Sequence, residues 1–284
     1  MDRRGTASIT MVMAILLVLA GATIYFYALT RANLEVQLVG VPDQLFYGDD
    51  IKGKVIVKNN GPADAKSARL DLLIEMGSRR DPRDWPLGDI RANNEVPREF
   101  SIPTILGDAR FAVLHTGVSI KVTVKADNGQ GETSRQLTLK YPSVRLEDCE
   151  LPGWSVLAQK YVLRIGDYQF KSLRARYEGR ELEQIKLAIG VKLKAAYLKH
   201  FNITAPTAKL ETYDSQIIWI LGEKIVETTL RVWEPDLSTT KFRATTDVKG
   251  TTIDLEAVVF WVRSPSQYVF LPATKTLTIE IQGQ

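Results

Sequence analysis

Residues 51–76 read IKGKVIVKNNGPADAKSARLDLLIEM, and the alternation in that run sets the fold. Ile51, Val55 and Val57 alternate with Lys52, Lys54 and Lys58, and Leu70, Leu72, Ile74 and Met76 alternate with Arg69, Asp71 and Glu75. Period-two patterning places one face of a strand in a core and the other in water. Between the two runs, Asn59-Asn60-Gly61-Pro62 supplies the residue types that turns require. The pattern continues outward. Leu34, Val36 and Leu38 alternate with Glu35 and Gln37, and Ile120, Val122 and Val124 alternate with Lys121, Thr123 and Lys125, before Leu137, Leu139 and Tyr141 close the series. Tyr47-Gly48-Asp49-Asp50 and Asp127-Asn128-Gly129 read as further turns. About seven short strands in roughly 110 residues predict a β-sandwich of immunoglobulin type over residues 32–142.

The run from Gly48-Asp49 through Val55, Val57 and Asn59-Asn60-Gly61 to Ala63, with Leu87-Gly88-Asp89 and Phe100, Ile102, Pro103 after it, resembles CARDB-type immunoglobulin-like domains of prokaryotic surface proteins. The resemblance implies an extracytoplasmic adhesion or spacer module with no catalytic residues to carry over. Within this half, the stretch from Gly77 to Arg98 lacks apolar alternation and reads as a loop. Arg79, Arg80, Arg83 and Trp85 make it a candidate partner-binding loop, because Trp and Arg are enriched at binding hot spots. The alternative is a solvated crossover with Trp85 folded onto the sheet edge.

Upstream, residues 5–30 contain no charged side chain, and Ile9 to Leu29 is almost wholly apolar. About 20 such residues in a helix span a hydrocarbon core roughly 30 Å thick. The expected layout is a stub over residues 1–7 and a transmembrane helix over 8–30, with Tyr25 and Tyr27 at the interface. Arg3 and Arg4 before the helix favour a cytoplasmic N-terminus and extracytoplasmic C-terminal domains. Three readings stand: a permanent anchor, a secretory signal cleaved at Ala20-Gly21-Ala22, or a third based on Arg3-Arg4-Gly5. That tripeptide before a long apolar helix resembles the processing site of type IV pilin-like, class III signal sequences, especially archaeal ones. By that resemblance a peptidase cuts after Gly5, Thr6 becomes the first residue, and the helix remains as an anchor or filament core. Bacterial pilins usually carry glutamate at the fifth mature position, where this chain has Thr10.

Residues 143–284 read as an α+β domain. Leu182, Ile185, Ile189, Leu193 and Ala196 recur at helical spacing, which predicts an amphipathic helix from Glu181 to His200 packed on an antiparallel sheet. Ile218 to Val232 reads as a hairpin, and Ile253 to Trp261 and Leu277 to Ile281 as strands. Asn202-Ile203-Thr204 is a glycosylation sequon, with Asn202 as acceptor if the chain is exported.

The 284 residues, 45% hydrophobic and 25% charged, describe a folded protein of about two domains. A formal net charge of +4 is too small a surplus to suggest a nucleic-acid partner. One cysteine, Cys149, excludes an intrachain disulfide and a CxxC-type metal or redox site, and two histidines, His115 and His200, leave little material for a His-based metal site or triad. No nucleophile elbow, HExxH, Walker loop or dinucleotide fingerprint occurs, so no catalytic residue and no cofactor are expected. The expected function is non-catalytic adhesion or assembly at the cell membrane, including a pilus or archaellum accessory role. Its partners would be the lipid bilayer, other envelope or filament proteins, and a second copy of the chain. The alternative is an anchored envelope enzyme working through paired carboxylates such as Glu211, Asp214 and Glu223.

Overall fold

The structure of the protein, a computed structural model, describes residues 3–104, 110–179, 182–206, 208–227, 231–245, 252–264 and 267–282, with residues 3–10 and 264 described by backbone alone. It divides into two compact units, one of Met1–Thr104 with His115–Lys140, the other of Ile105–Leu114 with Tyr141–Gln284. The first opens with a helix, α1 (Arg3–Thr30), and continues as β1 (Leu34–Val39), β2 (Gln44–Phe46), β3 (Asp50–Asn59), β4 (Ala65–Met76), β5 (Arg79–Ile90) and β6 (Glu95–Pro103). The chain then supplies β7 (Phe111–Ala112) to the second unit before returning as β8 (Gly117–Ala126) and β9 (Gly129–Lys140).

The first unit is an immunoglobulin-type sandwich. One sheet runs β1-β3-β6 and the other β2-β9-β8-β4-β5, antiparallel throughout except for the parallel pair β2–β9. The first strand is thus shared between the sheets, β1 pairing in one and β2 in the other. The switch falls at Gly40, whose φ of 76° suits glycine, followed by Pro42, which has no amide hydrogen to extend the ladder. The alternating residues of the sequence line the core: Val57, Leu70, Ile74, Ile120, Val122 and Val124 are fully buried. Asn59, read above as a turn residue, is itself fully buried. Its Nδ2 donates to the carbonyls of Ala63 (2.8 Å) and Ile90 (3.1 Å), while its Oδ1 accepts from the amides of Asn33 (3.2 Å) and Gly61 (3.0 Å). Every polar atom of that side chain is therefore occupied.

The second unit continues with β10 (Val144–Glu150), β11 (Trp154–Ser155), β12 (Lys160–Arg164), β13 (Gly166–Tyr168), β14 (Ser172–Tyr177), β15 (Gln184–Lys194), β16 (Phe201–Thr204), β17 (Lys209–Tyr213), β18 (Gln216–Glu227), β19 (Val232–Trp233), β20 (Lys241–Ala244), β21 (Thr252–Ser264) and β22 (Gln267–Gln282). Its main sheet runs β11-β12-β22-β21-β15-β18-β17, with β7 alongside the start of β22, and two small sheets run β10-β14-β19 and β13-β20-β16. The main sheet curls. Phe111 on β7 meets Tyr213 on β17, at the far end of the strand order, with ring centroids 5.6 Å apart. Phe111, Ala188, Ile218, Ile220, Val258, Phe260 and Tyr268 fill the concave side.

The mainly β reading, with an apolar N-terminal helix, matches the structure. The amphipathic helix expected over 181–200 does not: residues 184–194 are strand β15, followed by a single 3-10 turn at Ala195–Tyr197. The second unit is therefore built from strands rather than α+β. A spacing of four satisfies both periods, so Ile185, Ile189 and Leu193 fit either a helix or a strand. Leu187 and Val191, buried on the same face, decide for the strand, whose other face carries Lys186, Ala188, Gly190 and Lys192. Gly190 marks a close approach, since a Cβ there would meet the Trp219 carbonyl oxygen at 2.8 Å and the Phe260 ring at 3.0 Å. The loop expected from Gly77 is likewise a strand. Residues 79–90 pair along β4 as β5, after a two-residue turn at Gly77-Ser78. Residues 105–114, inside the span 32–142 read as sandwich, belong to the second unit. Helix α1 already includes Arg3–Ala7, read above as a stub.

Candidate functional site

Met11–Thr30 is a helical stretch of 20 residues that is long and apolar enough to cross a membrane, and none of it is buried in the protein. Leu17 and Val18, Ile24 and Phe26 all stand exposed. In water that surface is costly, and a membrane anchor and a signal sequence both carry such a stretch. Thr23, the main polar interruption, returns its hydroxyl to the carbonyl of Leu19 at 2.8 Å, which helices use to hide a hydroxyl in an apolar setting. Of the residues of the processing motif, Arg3, Arg4, Gly5 and Thr6 lie in the first turns of α1 by backbone, and their side chains are outside the described set.

The end of α1 is fixed to the sandwich by one residue of the β8–β9 turn. Asn128 Nδ2 donates to the carbonyls of Thr30 and Asp64, both at 2.9 Å, and its Oδ1 accepts from the Lys66 amide at 3.2 Å. The Ala32 amide in turn donates to the Asn128 carbonyl at 3.1 Å. A terminal helix carbonyl, which has no partner within the helix, is thereby satisfied. Arg31 lies over the Tyr27 ring at 4.4 Å, and Arg31, Lys125 and Gln130 border a cleft at this junction.

Arg79, Arg80, Arg83 and Trp85 lie together on β5, the outer strand of the five-stranded sheet. Cross-strand neighbours share a face, so Arg79, Arg83 and Trp85, opposite Met76, Leu72 and Leu70, are on the core side, and Arg80, opposite Glu75, is on the outer side. Arg80 pairs with Glu75 and Arg83 with Asp81, at 2.9 and 3.0 Å, and Asp84 pairs with Arg69. Trp85 is half-buried. The structure thus brings the four residues onto one strand, with Arg80 and Arg83 engaged by carboxylates. Pro82 and Pro86 lack amide donors, and with the charges they make this edge a poor template for an added strand. Nearby, His115 is half-buried with its ring centroid 6.5 Å from that of Tyr47, and burial, followed by the Arg79 charge, holds its pKa below the usual histidine range.

Two of the three carboxylates named for acid–base chemistry, Glu211 and Glu223, are tied to cations. Glu211 meets Arg110 at 2.6 Å. Glu223 meets Lys186 and Lys209, both at 2.6 Å, and accepts from the Tyr268 hydroxyl at 2.5 Å. Burial works to raise the Glu223 pKa, but the hydrogen bonds from Lys186, Lys209 and Tyr268 outweigh it and hold it at about 2. A general acid needs the opposite shift. Asp214 sits in the β17–β18 turn with φ 46°. Cys149 is fully buried, and burial above all, with Glu150 adding to it against Lys275, pushes its thiol up to about 12. Among the described residues, no group of three or more His, Cys, Asp and Glu side chains converges as metal ligands.

Asn202 and Thr204 are exposed on β16, an outer strand of its small sheet, while Ile203 between them is buried. The sequon follows the 3-10 turn rather than an α-helix. Two features escaped the linear reading. The segment Arg110–Ala112 works far from its sequence neighbours, and only the apolar pair Phe111-Ala112 hinted at a buried role. The β11–β12 hairpin carries exposed apolar residues at its tip, where an apolar run is ordinarily read as core.

No protein-family model matches the chain, and no curated protein matches it. Among solved structures it is similar to red sea bream transglutaminase, at 16% identity and a TM-score of 0.32 over 88% of this chain. The chain spans 31% of the transglutaminase's length. It is also similar to the CARDB domain of a Pyrococcus furiosus protein in complex with di-metal ions, at 17% identity and a TM-score of 0.27 over 39% of this chain and 93% of that one. A solution structure of the same domain gives 18% and 0.26. Likeness at this level assigns the chain to neither family.

Proposed function

We propose that this is a membrane-anchored, extracytoplasmic, non-catalytic protein whose two β-rich units serve adhesion or assembly at the cell surface. The observation that carries the reading is the wholly exposed apolar stretch Met11–Thr30, joined to the sandwich through Asn128. Such a helix is stable in lipid, where it satisfies its own backbone. Arg3 and Arg4 at its start support a cytoplasmic N-terminus, which directs both units outward. The ion-paired states of Glu211 and Glu223 support a structural rather than a catalytic use of these carboxylates.

The test is carbonate extraction of membranes carrying the full chain, combined with protease protection of intact cells. The reading expects the protein in the pellet and both units cleaved from outside. Release into the carbonate supernatant, or full protection in intact cells, overturns it. The mass of the native N-terminus separates the finer alternatives. A start at Thr6 supports pilin-type processing and an assembly role, and a start at Thr23 removes the anchor.

A further inference from the structure

Strands β11 and β12 form a hairpin in which Trp154 pairs with Tyr161 and Ser155 with Lys160, leaving Val156, Leu157, Ala158 and Gln159 as its tip. Leu157 is 100% exposed, Val156 78% and Trp154 53%, a density of bare apolar surface unlike the isolated cases of Leu210 and Ile225. The hairpin is firmly built. The Val162 amide donates to the Gly153 carbonyl at 2.8 Å, the Ala158 amide donates to the Ser155 hydroxyl at 3.3 Å, and the Trp154 and Tyr161 rings meet edge-on at 5.0 Å. Its apolar tip is therefore presented, not merely left over from a loose loop. Beside it lies a cleft of about 360 Å³ bordered by Trp154, Tyr161, Glu150, Lys171 and Lys275. Lys171 and Lys275 are exposed, and neither has a salt-bridge partner among the described residues, whereas Lys160 is paired with Glu280.

We infer that this hairpin is a peripheral membrane contact, with Val156 and Leu157 entering the interfacial layer of a phospholipid bilayer and Lys171 and Lys275 meeting headgroup phosphates. Three exposed apolar side chains, Trp154, Val156 and Leu157, offer far less than the roughly 800 Å² per partner of a stable protein interface. Reversible lipid insertion needs only a small apolar surface reinforced by basic residues, and tryptophan and tyrosine favour that boundary. The inference goes beyond the anchor and does not rest on it, because the hairpin lies in the other unit and would touch lipid whether or not α1 is retained.

The test places an environment-sensitive NBD label on the Leu157→Cys variant of the full chain, held in nanodiscs through α1. The native Cys149 is buried and stays unlabelled. Doxyl-phosphatidylcholine is supplied either within the disc or in added vesicles of phosphatidylcholine with phosphatidylglycerol. Insertion gives at least about a twofold quenching from one of the two sources, compared with a label at the exposed Lys241→Cys. Val156→Ser combined with Lys171→Glu and Lys275→Glu should remove the quenching without altering the melting temperature. Quenching no greater than at Lys241→Cys overturns the inference. So does a shielded label that grows with protein concentration and is untouched by doxyl lipid, which would reveal a protein partner. Failure of the anchor reading would show separately, in the carbonate supernatant, and leaves the vesicle arm readable.

Discussion

Replacing Asn59 should cost the first unit more stability than any exposed turn residue could. Its side chain makes four hydrogen bonds while fully buried, joining the start of β1 (Asn33), the β3–β4 turn (Gly61 and Ala63) and the end of β5 (Ile90). Asn59→Ala leaves two carbonyls and two amides without that partner. At about 1 kcal/mol net per bond the loss is roughly 4 kcal/mol, and water reaching the more exposed Asn33 amide lowers it to about 3 kcal/mol. Asn59→Asp keeps the acceptor but turns the donor into a second acceptor, aimed at the Ala63 and Ile90 carbonyls. A buried carboxylate in that setting has a raised pKa, so the folded state holds its proton to higher pH than the unfolded state does. Stability of the Asp variant should therefore fall as pH rises from the unfolded carboxylate pKa of about 4 through the raised folded value, making it weaker than the Ala variant at neutral pH. Urea unfolding followed by Trp85 fluorescence, the one tryptophan of this unit, reads both effects. A loss below about 1 kcal/mol for Ala, or an Asp variant as stable as Ala at pH 7, would refute the assignment of Asn59 as a hub.

Phe111→Ala should cost about 3–5 kcal/mol in the second unit, seen as earlier unfolding by the fluorescence of Trp219, Trp233 and Trp261 while Trp85 is unchanged. Glu223, depressed to about 2, stabilises the fold fully above its unfolded pKa of about 4.3. That contribution is lost as pH falls toward 2, and acid titration of Glu223→Gln should show a shallower decline over the same range. Cys149 should resist maleimide at pH 8 in the native chain and react on unfolding in urea; rapid native labelling would contradict its burial. Exported through a glycosylating secretory pathway, the chain should gain one glycan that Asn202→Gln removes, measured as a mobility shift reversed by an N-glycanase.

Where one face of a strand met the core and the other met water, alternation alone located the strands of the first unit, because residues such as Leu70 and Arg69 report opposite surroundings. Helix α1 was equally legible, since a 20-residue, mostly apolar stretch without a charge needs no partner strand to be recognised. Strand β15 was not legible. Ile185, Ile189 and Leu193 keep the spacing of four that a helix also shows, and the period of two completed by Leu187 and Val191 is blurred by Ala188 and Gly190 on the other face, which pairing with β18 and β21 buries. Strand β5 escaped for the converse reason: an outer strand with ion pairs on its own and neighbouring residues carries no apolar stripe. Asn59 carried a turn signal and proved to be a buried hub, because its four partners come from segments up to 31 residues away. The same holds for Phe111 in the second unit and for Leu157 in the open. Sequence fixes which side chains shun water locally, but burial is a property of what the rest of the chain brings alongside, and only the tertiary structure decides it.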